Sequence, residues 1–407
     1  MKAFTPYISI LFVFFFLTLS FKGGAQVRPK TFIMNADLLM QNRFKINTGN
    51  EQCLAALKVL LSTTAPSLAR TPYTIVKKTI APPSGDKHDY MSLAPYWWPD
   101  PNSPDGLPYI RKDGQSNPEG STIKDNTYIR DLSKDIRLLG LSYYFTNDEK
   151  YAKKATELLK VFFLNSATRM NPNLNFCQIR RGVMTESGVG TVDTEHFTQL
   201  IDGVQLLAGS RSWTKENHAA LQNWFKQYLN WLLTSAIGKD GATQPNNIST
   251  YYNLQVITYA LFVEDKALAK SIIEKQVYDL LENQFSPTGE QKLELARTNS
   301  WTYCNKNLKG WFDIASAAEI LGINLWHYTS PTDKSLKKAF QWMVPYGAGD
   351  KSWTFDQIGD LKIEYFTMIA RTGSAVYKDV NVQSILAENH AQFVSGSYME
   401  LLTSRYY

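Results

Sequence analysis

Ten segments with helical periodicity follow one another from residue 128 onward, and they restrict the fold more than any other feature of the chain. In one of them, Phe197, Leu200, Ile201, Val204 and Leu207 recur at three-to-four spacing and form one apolar face. Strand-like alternation is sparse, and no strand–helix–strand rhythm is visible. The pattern predicts an all-α chain with helices over residues 128–145, 149–164, 192–208, 215–236, 254–263, 267–284, 305–321, 335–343, 364–372 and 382–403.

These predicted helices come in pairs. Short polar turns, such as the one at Asn147 and Asp148 and the one at Glu264 and Asp265, join the two members of a pair. Successive helical hairpins can stack as an open solenoid or close into a toroid. No repeat of fixed period is visible, which argues against an ordinary solenoid. Residues 35–69 predict one or two further helices at the N-terminal side.

Residues 71–126 interrupt the helical pattern. They are rich in Pro, Gly, Asp and Asn, which predicts a long loop. A long loop in a compact domain is usually either functional or disordered. The aromatic cluster Tyr96, Trp97 and Trp98, flanked by prolines, argues against disorder. We therefore expect an ordered loop that forms a wall or lid over a cleft.

The N-terminus has the layout of a secretory signal peptide. Lys2 precedes an apolar run over residues 8–21, and small residues end at Ala25. We expect cleavage between Ala25 and Gln26, a secreted or periplasmic protein, and a single domain over residues 26–407. An uncleaved membrane anchor is the alternative. No later segment is long and apolar enough to cross a bilayer, so no stable membrane span is expected after cleavage.

Charge and cysteine content limit the partners. The net charge of +6 suits a polyanionic ligand, but the basic residues are not clustered and no nucleic-acid module is present, so no nucleic acid is expected. Cys53, Cys177 and Cys304 are widely spaced and lack a CxxC signature. Buried free thiols are favoured over one internal disulfide.

Arg297 and Tyr303 lie six residues apart in a polar and aromatic segment over residues 294–303. Weak helix propensity before Tyr303 predicts that the chain enters a helix near that residue, so both side chains can face one cleft. A fixed cation beside a phenol stabilises the phenolate, and such a tyrosine can exchange protons near neutral pH. Packing of an arginine against a tyrosine explains the same spacing.

Three motifs carry a resemblance to a known family. They are DYMSLAPYWWPDP over residues 89–101, NNISTYY over residues 246–252 and ELARTNSWTY over residues 294–303. Together and in this order they resemble the alginate lyase family of helical-toroid polysaccharide lyases, over roughly residues 70–350. The resemblance implies an incomplete (α/α) toroid with a central cleft. It also implies cleavage of alginate, an anionic polyuronate, by β-elimination to 4,5-unsaturated uronate ends.

The resemblance also implies roles for single residues. Asn247, with Arg297 and Asn246, would bind a uronate carboxylate and make the neighbouring C5 proton removable. Tyr303 would take that proton and return it to the leaving O4 oxygen. Helix capping explains the two asparagines as well. No redox cofactor and no other cofactor is needed for this chemistry.

One position departs from the family pattern. Many relatives have a histidine after the two asparagines, where this chain has Ile248. His196, in a stretch that resembles another family segment, is a candidate replacement base, and a hydrogen-bonded core or cap histidine is the alternative. Asp193 and Glu195 stand beside it, but their spacing matches no known ligand set, so no metal is expected.

The aromatic residues of the motifs are candidate sugar contacts, because aromatic faces pack well on sugar rings. Core packing explains aromatic residues equally. The candidates are Tyr90, Trp97, Trp98 and Tyr252.

Three alternative functions remain open from the sequence. A glucuronan lyase would use the same mechanism. A uronate-specific glycoside hydrolase would need two carboxylates flanking the glycosidic bond, for which Glu294 and Asp193 are the candidates. A non-catalytic glycan-binding protein would explain the aromatic residues and the basic excess.

Overall fold

The computed structural model describes residues 28–184, 187–382 and 397–402. Within these ranges most residues are helical, as predicted, and strands occur only as two short pairs. The parallel pair is β1 (Met91–Leu93) with β4 (Phe176–Ile179), and the antiparallel pair is β2 (Trp97–Trp98) with β3 (Ile110–Arg111). The helices are α1 (Ala36–Asn47), α2 (Glu51–Leu68), α3 (Asp125–Thr146), α4 (Glu149–Leu159), α5 (Phe197–Gln205), α6 (Lys215–Thr234), α7 (Ala236–Thr243), α8 (Asn247–Phe262), α9 (Lys266–Ile272), α10 (Tyr278–Gln284), α11 (Lys292–Leu295), α12 (Ser300–Glu319), α13 (Leu336–Gly347) and α14 (Ile363–Val376).

The predicted helical hairpins are present, and their turns show why the chain reverses there. Asn147 ends α3 with φ of 60°, a left-handed conformation that asparagine tolerates. The Asp148 side chain then accepts a hydrogen bond from the backbone N–H of Lys150 and caps α4. Glu264 and Asp265 repeat this arrangement between α8 and α9, with φ of 65° at Glu264.

Helix α8 lies at the centre of the molecule. All of its residues from Asn247 to Phe262 are buried, and it packs against α5, α6, α9 and α12. A helix that is covered on every side belongs to the interior of a large domain. Its N-terminal end is therefore fixed from all directions, which matters because the two motif asparagines stand there.

Several predicted boundaries differ from the observed ones. The helix predicted over residues 192–208 begins only at Phe197, because Gly188–Thr194 form a tighter 3₁₀ segment held by buried polar contacts. Helix α12 begins at Ser300, three residues before Tyr303, and the short helix α7 was not predicted. The helix predicted over residues 382–403 falls largely outside the described residues, as does the signal peptide over residues 1–25.

Residues 71–126 form the expected long ordered loop, which carries β1, β2 and β3. Its two ends are held together by a buried ion pair between Lys78 and Asp125, whose side chains are 5% and 1% exposed. Lys78 also donates to the backbone oxygen of Asp89. The loop is thus anchored to the start of α3, while its role as a lid remains a prediction.

The three cysteines form no disulfide. Cys177 and Cys304 are buried, as expected, whereas Cys53 is partly exposed. Of the helices in the described part of the chain, none combines the length and the apolar character that crossing a bilayer requires.

Asp202, on α5, ties the first described residues to the core. Its fully buried carboxylate accepts the backbone N–H groups of Phe32, Ile33 and Met34 at 2.6, 3.0 and 2.7 Å. Burial raises the pKa of Asp202 to about 7. Its side chain is thus the acceptor for three consecutive backbone donors.

Replacing Asp202 by alanine is expected to lower the free energy of unfolding by about 2–4 kcal/mol, because buried donors lose their acceptor. Denaturant unfolding followed by circular dichroism measures the change. Asp37→Ala is the control, since Asp37 is an exposed partner of Arg28 and surface ion pairs contribute less than about 1 kcal/mol. Equal losses in the two variants would contradict the assigned role of Asp202.

Candidate active site

A cleft of about 410 Å³ lies between the long loop and the N-terminal ends of α8 and α12. The start of α8 contributes Asn247, and the first turns of α12 contribute Tyr303 and Lys306. The loop contributes residues around the β2–β3 hairpin, and the segment around β4 closes another side. The described lining residues are Ala94, Pro95, Tyr96, Trp97, Arg111, Gln178, Arg180, Ser187, Val189, Val192, Gln244, Asn246, Asn247, Ile248, Arg297, Tyr303 and Lys306.

Tyr303 and Arg297 meet in this cleft. The guanidinium carbon of Arg297 lies 3.8 Å from the ring centroid of Tyr303, in a cation–π contact. The hydroxyl of Tyr303 is 2.7 Å from the hydroxyl of Tyr96, which comes from the loop. A bend over residues 296–299, between α11 and α12, allows this geometry, because it turns Arg297 back over the first turn of α12.

The pKa of Tyr303 differs from the sequence expectation. Burial, with a smaller contribution from Tyr96, raises it well above the usual range, and the opposing effect of Arg297 does not compensate. The expectation that the cation brings this phenol to a near-neutral pKa is therefore wrong. The cation stacks on the ring face, and Tyr303 is a neutral phenol at neutral pH.

Asn247 is held by a buried carboxylate. Its backbone N–H lies 2.6 Å from Glu294 Oε1, and its Nδ2 lies 2.9 and 3.1 Å from the two carboxylate oxygens. Burial raises the pKa of Glu294, while the hydrogen bonds from Asn247 lower it. Asn247 is thus fixed in one orientation at the edge of the cleft.

Asn246 and Ile248 flank that residue and also line the cleft. The side chain of Asn246 accepts a hydrogen bond from the backbone N–H of Ile248 at 3.2 Å and caps α8. Capping is therefore an observed role of Asn246. Ile248 presents an apolar wall to the cleft directly after the two asparagines.

Two predicted sugar contacts are core residues instead. Tyr90 is fully buried and donates to Asp193 at 2.8 Å, and Tyr252 is 2% exposed and donates to the backbone oxygen of Leu232. Neither lines the cleft. Of the tryptophan pair, Trp97 lines the cleft, whereas Trp98 donates to the backbone oxygen of Gln115 on another side of the hairpin. Successive strand residues point to opposite faces, so only one of the two can face the cleft.

His196 lies in a separate cavity of about 90 Å³, which is lined by residues of α3 such as Arg130 and Arg137. Burial lowers its pKa and favours the neutral ring. His196 is not among the residues that line the cleft with Tyr303. The prediction that it replaces the missing histidine is corrected accordingly.

The two carboxylates considered for a hydrolase also lie outside the cleft lining. Asp193 is buried and accepts hydrogen bonds from Tyr90, Ser92 and Gln178 at 2.7 to 2.8 Å. Glu294 is occupied by Asn247. Both act as acceptors that hold the fold together, and they do not flank a common open space.

The charged side chains that line the cleft are all basic, and carboxylates behind the lining pair with three of them: Asp113 with Arg111 and Arg297, and Glu195 with Lys306. Among its described lining residues, four are basic and none is acidic: Arg111, Arg180, Arg297 and Lys306. Sequence reasoning missed three of these, together with Tyr96. Lys306 could have been found, because it stands three residues after Tyr303 and shares its helix face. Arg111 ends the short strand β3 and Arg180 directly follows β4, and neither position carries such a signal.

Comparisons with known proteins identify the family of this chain. The family model described as alginate lyase matches residues 74–353. An alginate lyase from Bacteroides ovatus of known crystal structure is 36% identical, with a TM-score of 0.86 over 93% of this chain and 100% of that chain. A comparison with curated protein sequences finds no match.

More distant structures share the fold. Alginate lyase A1-III from Sphingomonas species A1 is 15% identical, with a TM-score of 0.58 over 90% of this chain and 95% of that chain. A variant of that enzyme with alanine in place of a histidine, complexed with tetrasaccharide, is 15% identical, with a TM-score of 0.60 over 91% and 94% of the two chains. The all-α toroid is therefore the architecture of this molecule. Because the family model spans more than half of the sequence and the Bacteroides enzyme matches nearly all of it, the chain belongs to the alginate lyase family and is a polysaccharide lyase.

Proposed function

We propose that this lyase cleaves alginate by β-elimination and leaves 4,5-unsaturated uronate at the new chain ends. One observation carries the proposal: Tyr303 and Arg297 meet in a cleft whose described lining has four basic residues and no acidic one. Basic side chains at the surface of a cleft attract a polyanion. The same cleft places a phenolic hydroxyl where that polyanion would lie.

The reaction follows from these groups. Arg297 and Asn247 stabilise the negative charge that spreads over the substrate carboxylate as the C5–H bond breaks. Tyr303, as phenolate, takes the C5 proton. The electron pair of that bond forms the C4–C5 double bond, and the C4–O4 bond breaks. Tyr303 then returns the proton to the departing O4 oxygen, so one residue serves as base and then as acid.

The geometry favours mannuronate as the sugar on the cleaved side. In mannuronate the C5 proton and O4 lie on the same side of the ring, so one tyrosine reaches both. In guluronate they lie on opposite faces and need a second group. Ile248 supplies none, and no histidine is among the described residues of the cleft. Glucuronan shares the mannuronate configuration at C4 and C5 and is the second candidate substrate.

Absorbance in the ultraviolet tests the proposal, because a 4,5-unsaturated uronate absorbs and a hydrolysis product does not. The mature chain is incubated in parallel with polymannuronate, polyguluronate and glucuronan. We expect the fastest rise with polymannuronate and none with the Tyr303→Phe variant. New reducing ends without absorbance would instead indicate hydrolysis.

The pH dependence of the reaction follows from the raised pKa of Tyr303. The base must be deprotonated before it can accept the C5 proton. At neutral pH only a small fraction of Tyr303 is in the phenolate form. We expect kcat/KM to rise with pH through the neutral range, about tenfold per pH unit while the phenol remains mostly protonated. Initial rates between about pH 6 and pH 9 measure this. A profile that falls above neutral pH would argue against Tyr303 as the base.

The adjacent tryptophans offer a matched pair for substrate binding. Trp97 lines the cleft, with Arg180 at 5.3 Å from its ring centroid, whereas Trp98 has Lys112 at 5.3 Å outside it. We expect Trp97→Ala to raise KM about fivefold, because an aromatic contact contributes on the order of 1 kcal/mol. Trp98→Ala should change KM less than about threefold. Equal effects would mean that Trp97 supports the hairpin and does not contact the substrate.

We also propose a secreted or periplasmic protein with a signal peptide over residues 1–25 and one lyase domain over residues 26–407. Lys2, the apolar run over residues 8–21 and the small residues before Gln26 support it. The mass of the mature chain, recovered from cells that express the full sequence, tests the cleavage site.

A further inference from the structure

The turn that follows β3 is docked onto the segment that carries Arg297. Residues 112–115 form a tight turn closed by a 3.1 Å hydrogen bond from the N–H of Gln115 to the oxygen of Lys112. Gly114 has φ of +73°, and a Cβ atom there would lie 2.5 Å from Thr298 Oγ1 and 2.9 Å from Asn299 Nδ2. Only glycine allows both this backbone conformation and this approach.

The residue before that glycine makes the contact. Asp113 accepts hydrogen bonds from Arg297 Nε at 3.0 Å and Nη2 at 2.8 Å, and from Thr298 N at 3.3 Å and Oγ1 at 3.1 Å. Arg111 Nη2 donates to it as well, at 2.7 Å. Burial opposes its ionisation, but Arg297 and Thr298 hold the pKa of Asp113 well below its usual range. Asp113 is therefore an ionised carboxylate at neutral pH.

This contact determines how Arg297 faces Tyr303. A guanidinium is a rigid planar fork with five N–H donors, and Asp113 takes one on Nε and one on Nη2. When Asp113 holds one edge of the planar group, the orientation of the whole guanidinium is set. Its central carbon then lies 3.8 Å from the Tyr303 ring centroid. The ion pair is only partly exposed, at 14% for Arg297 and 21% for Asp113, so water competes weakly for it. Three N–H groups remain for the phenol and for a carboxylate in the cleft.

We propose that Asp113 is a positioning residue of the elimination. It touches no reacting atom, but it sets the plane of the Arg297 guanidinium against Tyr303 and couples that plane to the docked turn after β3. This inference rests on the proposed β-elimination, in which Arg297 must stabilise charge as it develops. Small displacements of such a group are costly, because the stabilisation depends on preorganised geometry.

Kinetics of Asp113→Asn test the proposal. Asparagine keeps the size of the side chain but loses the charge and one acceptor oxygen. We expect kcat to fall about 10- to 100-fold while KM stays within about threefold, since the loss is in the orientation of a stabilising group. Glu119→Gln is the matched control: Glu119 lies on the same loop and binds Tyr109 and Arg181 at 2.7 and 2.5 Å. Its kcat should stay within about twofold of the native value.

A double-mutant cycle separates positioning from simple docking. If Asp113 acts through Arg297, Asp113→Asn should lower kcat much less in an Arg297→Lys background than in the native one. If Asp113→Asn and Arg297→Lys lower kcat by independent factors that simply multiply, the positioning role is overturned. A native kcat in Asp113→Asn would overturn it as well. If Asp113→Asn does not fold, Thr298→Val removes one hydrogen bond to the same carboxylate and should lower kcat about two- to fivefold.

A substrate-free measurement keeps this inference separate from the proposed function. The Nε–H resonance of Arg297, identified by its loss in Arg297→Lys, should exchange slowly with water in the native protein and much faster in Asp113→Asn. Equal exchange rates would overturn the positioning role whatever the substrate is. Conversely, a native enzyme that yields no unsaturated ends on any polyuronate, with Arg297 still protected, would overturn the proposed function and leave the ion-pair assignment in place.

Discussion

Replacing Tyr303 by phenylalanine is expected to lower kcat by about 10³-fold, within the range attributed to proton transfer by a positioned side chain. The substitution removes one oxygen atom. The ring stays, and with it the cation–π contact to Arg297. Since the same hydroxyl takes the C5 proton and returns it to O4, both proton transfers are lost together. Initial rates on polymannuronate, followed by absorbance, measure the effect.

The expected pattern is a loss in kcat with KM almost unchanged, because the phenyl ring still fills its site. Tyr96→Phe is the control, since it removes the other hydroxyl of the 2.7 Å pair and leaves Tyr303 intact. Its effect should be smaller by at least about tenfold. A Tyr303→Phe variant that retains more than a tenth of native kcat, with unchanged thermal unfolding, would assign the proton transfers to another group.

The fold was predictable from the sequence wherever local sequence patterns determine it. Helix pairs, their polar turns and the long loop follow from periodicity, from Asn147 and Asp148, and from the change in composition after residue 70. Arg297 and Tyr303 were predictable as a pair because they are six residues apart and share one segment. The start of α12 was placed too late, because the packing of the fully buried Trp301 outweighs the weak helix propensity of its neighbours.

The rest of the site depends on contacts between distant parts of the chain. Tyr96 and Tyr303 are 207 residues apart, and Asp113 and Arg297 are 184 residues apart, so no local pattern relates them. The chemical type of a side chain was also not enough to predict whether it lines the cleft. Tyr90 and Trp97 come from one motif, yet Tyr90 is buried against Asp193 while Trp97 faces the cleft. His196 stands at the start of an otherwise apolar helix, but the cavity that it lines is separate from the cleft.

Arg297→Ala is expected to lower kcat/KM by about 10²- to 10³-fold, the usual loss when one preorganised stabilising donor is removed. Two effects add. The substrate carboxylate loses a cation, and the pKa of Tyr303, which Arg297 lowers against burial, should rise further. The rise of kcat/KM should therefore move to higher pH as well. Rates across the pH range measure both changes in one experiment.

Two further variants separate the geometry of Arg297 from its charge. Arg297→Lys keeps the charge but not the planar fork that binds Asp113 along one edge, so it should recover only part of the lost rate.

Arg111→Ala removes a cation that also lines the cleft and binds Asp113, but its side chain is 54% exposed. The loss of kcat/KM in Arg111→Ala should be below about tenfold. It should also become smaller as salt is added, because salt screens an exposed charge. If Arg111→Ala and Arg297→Ala lose equal activity, the cleft acts through bulk positive charge alone. If Arg297→Ala is far worse and Arg297→Lys lies between, the catalytic requirement is a guanidinium held in one plane above Tyr303.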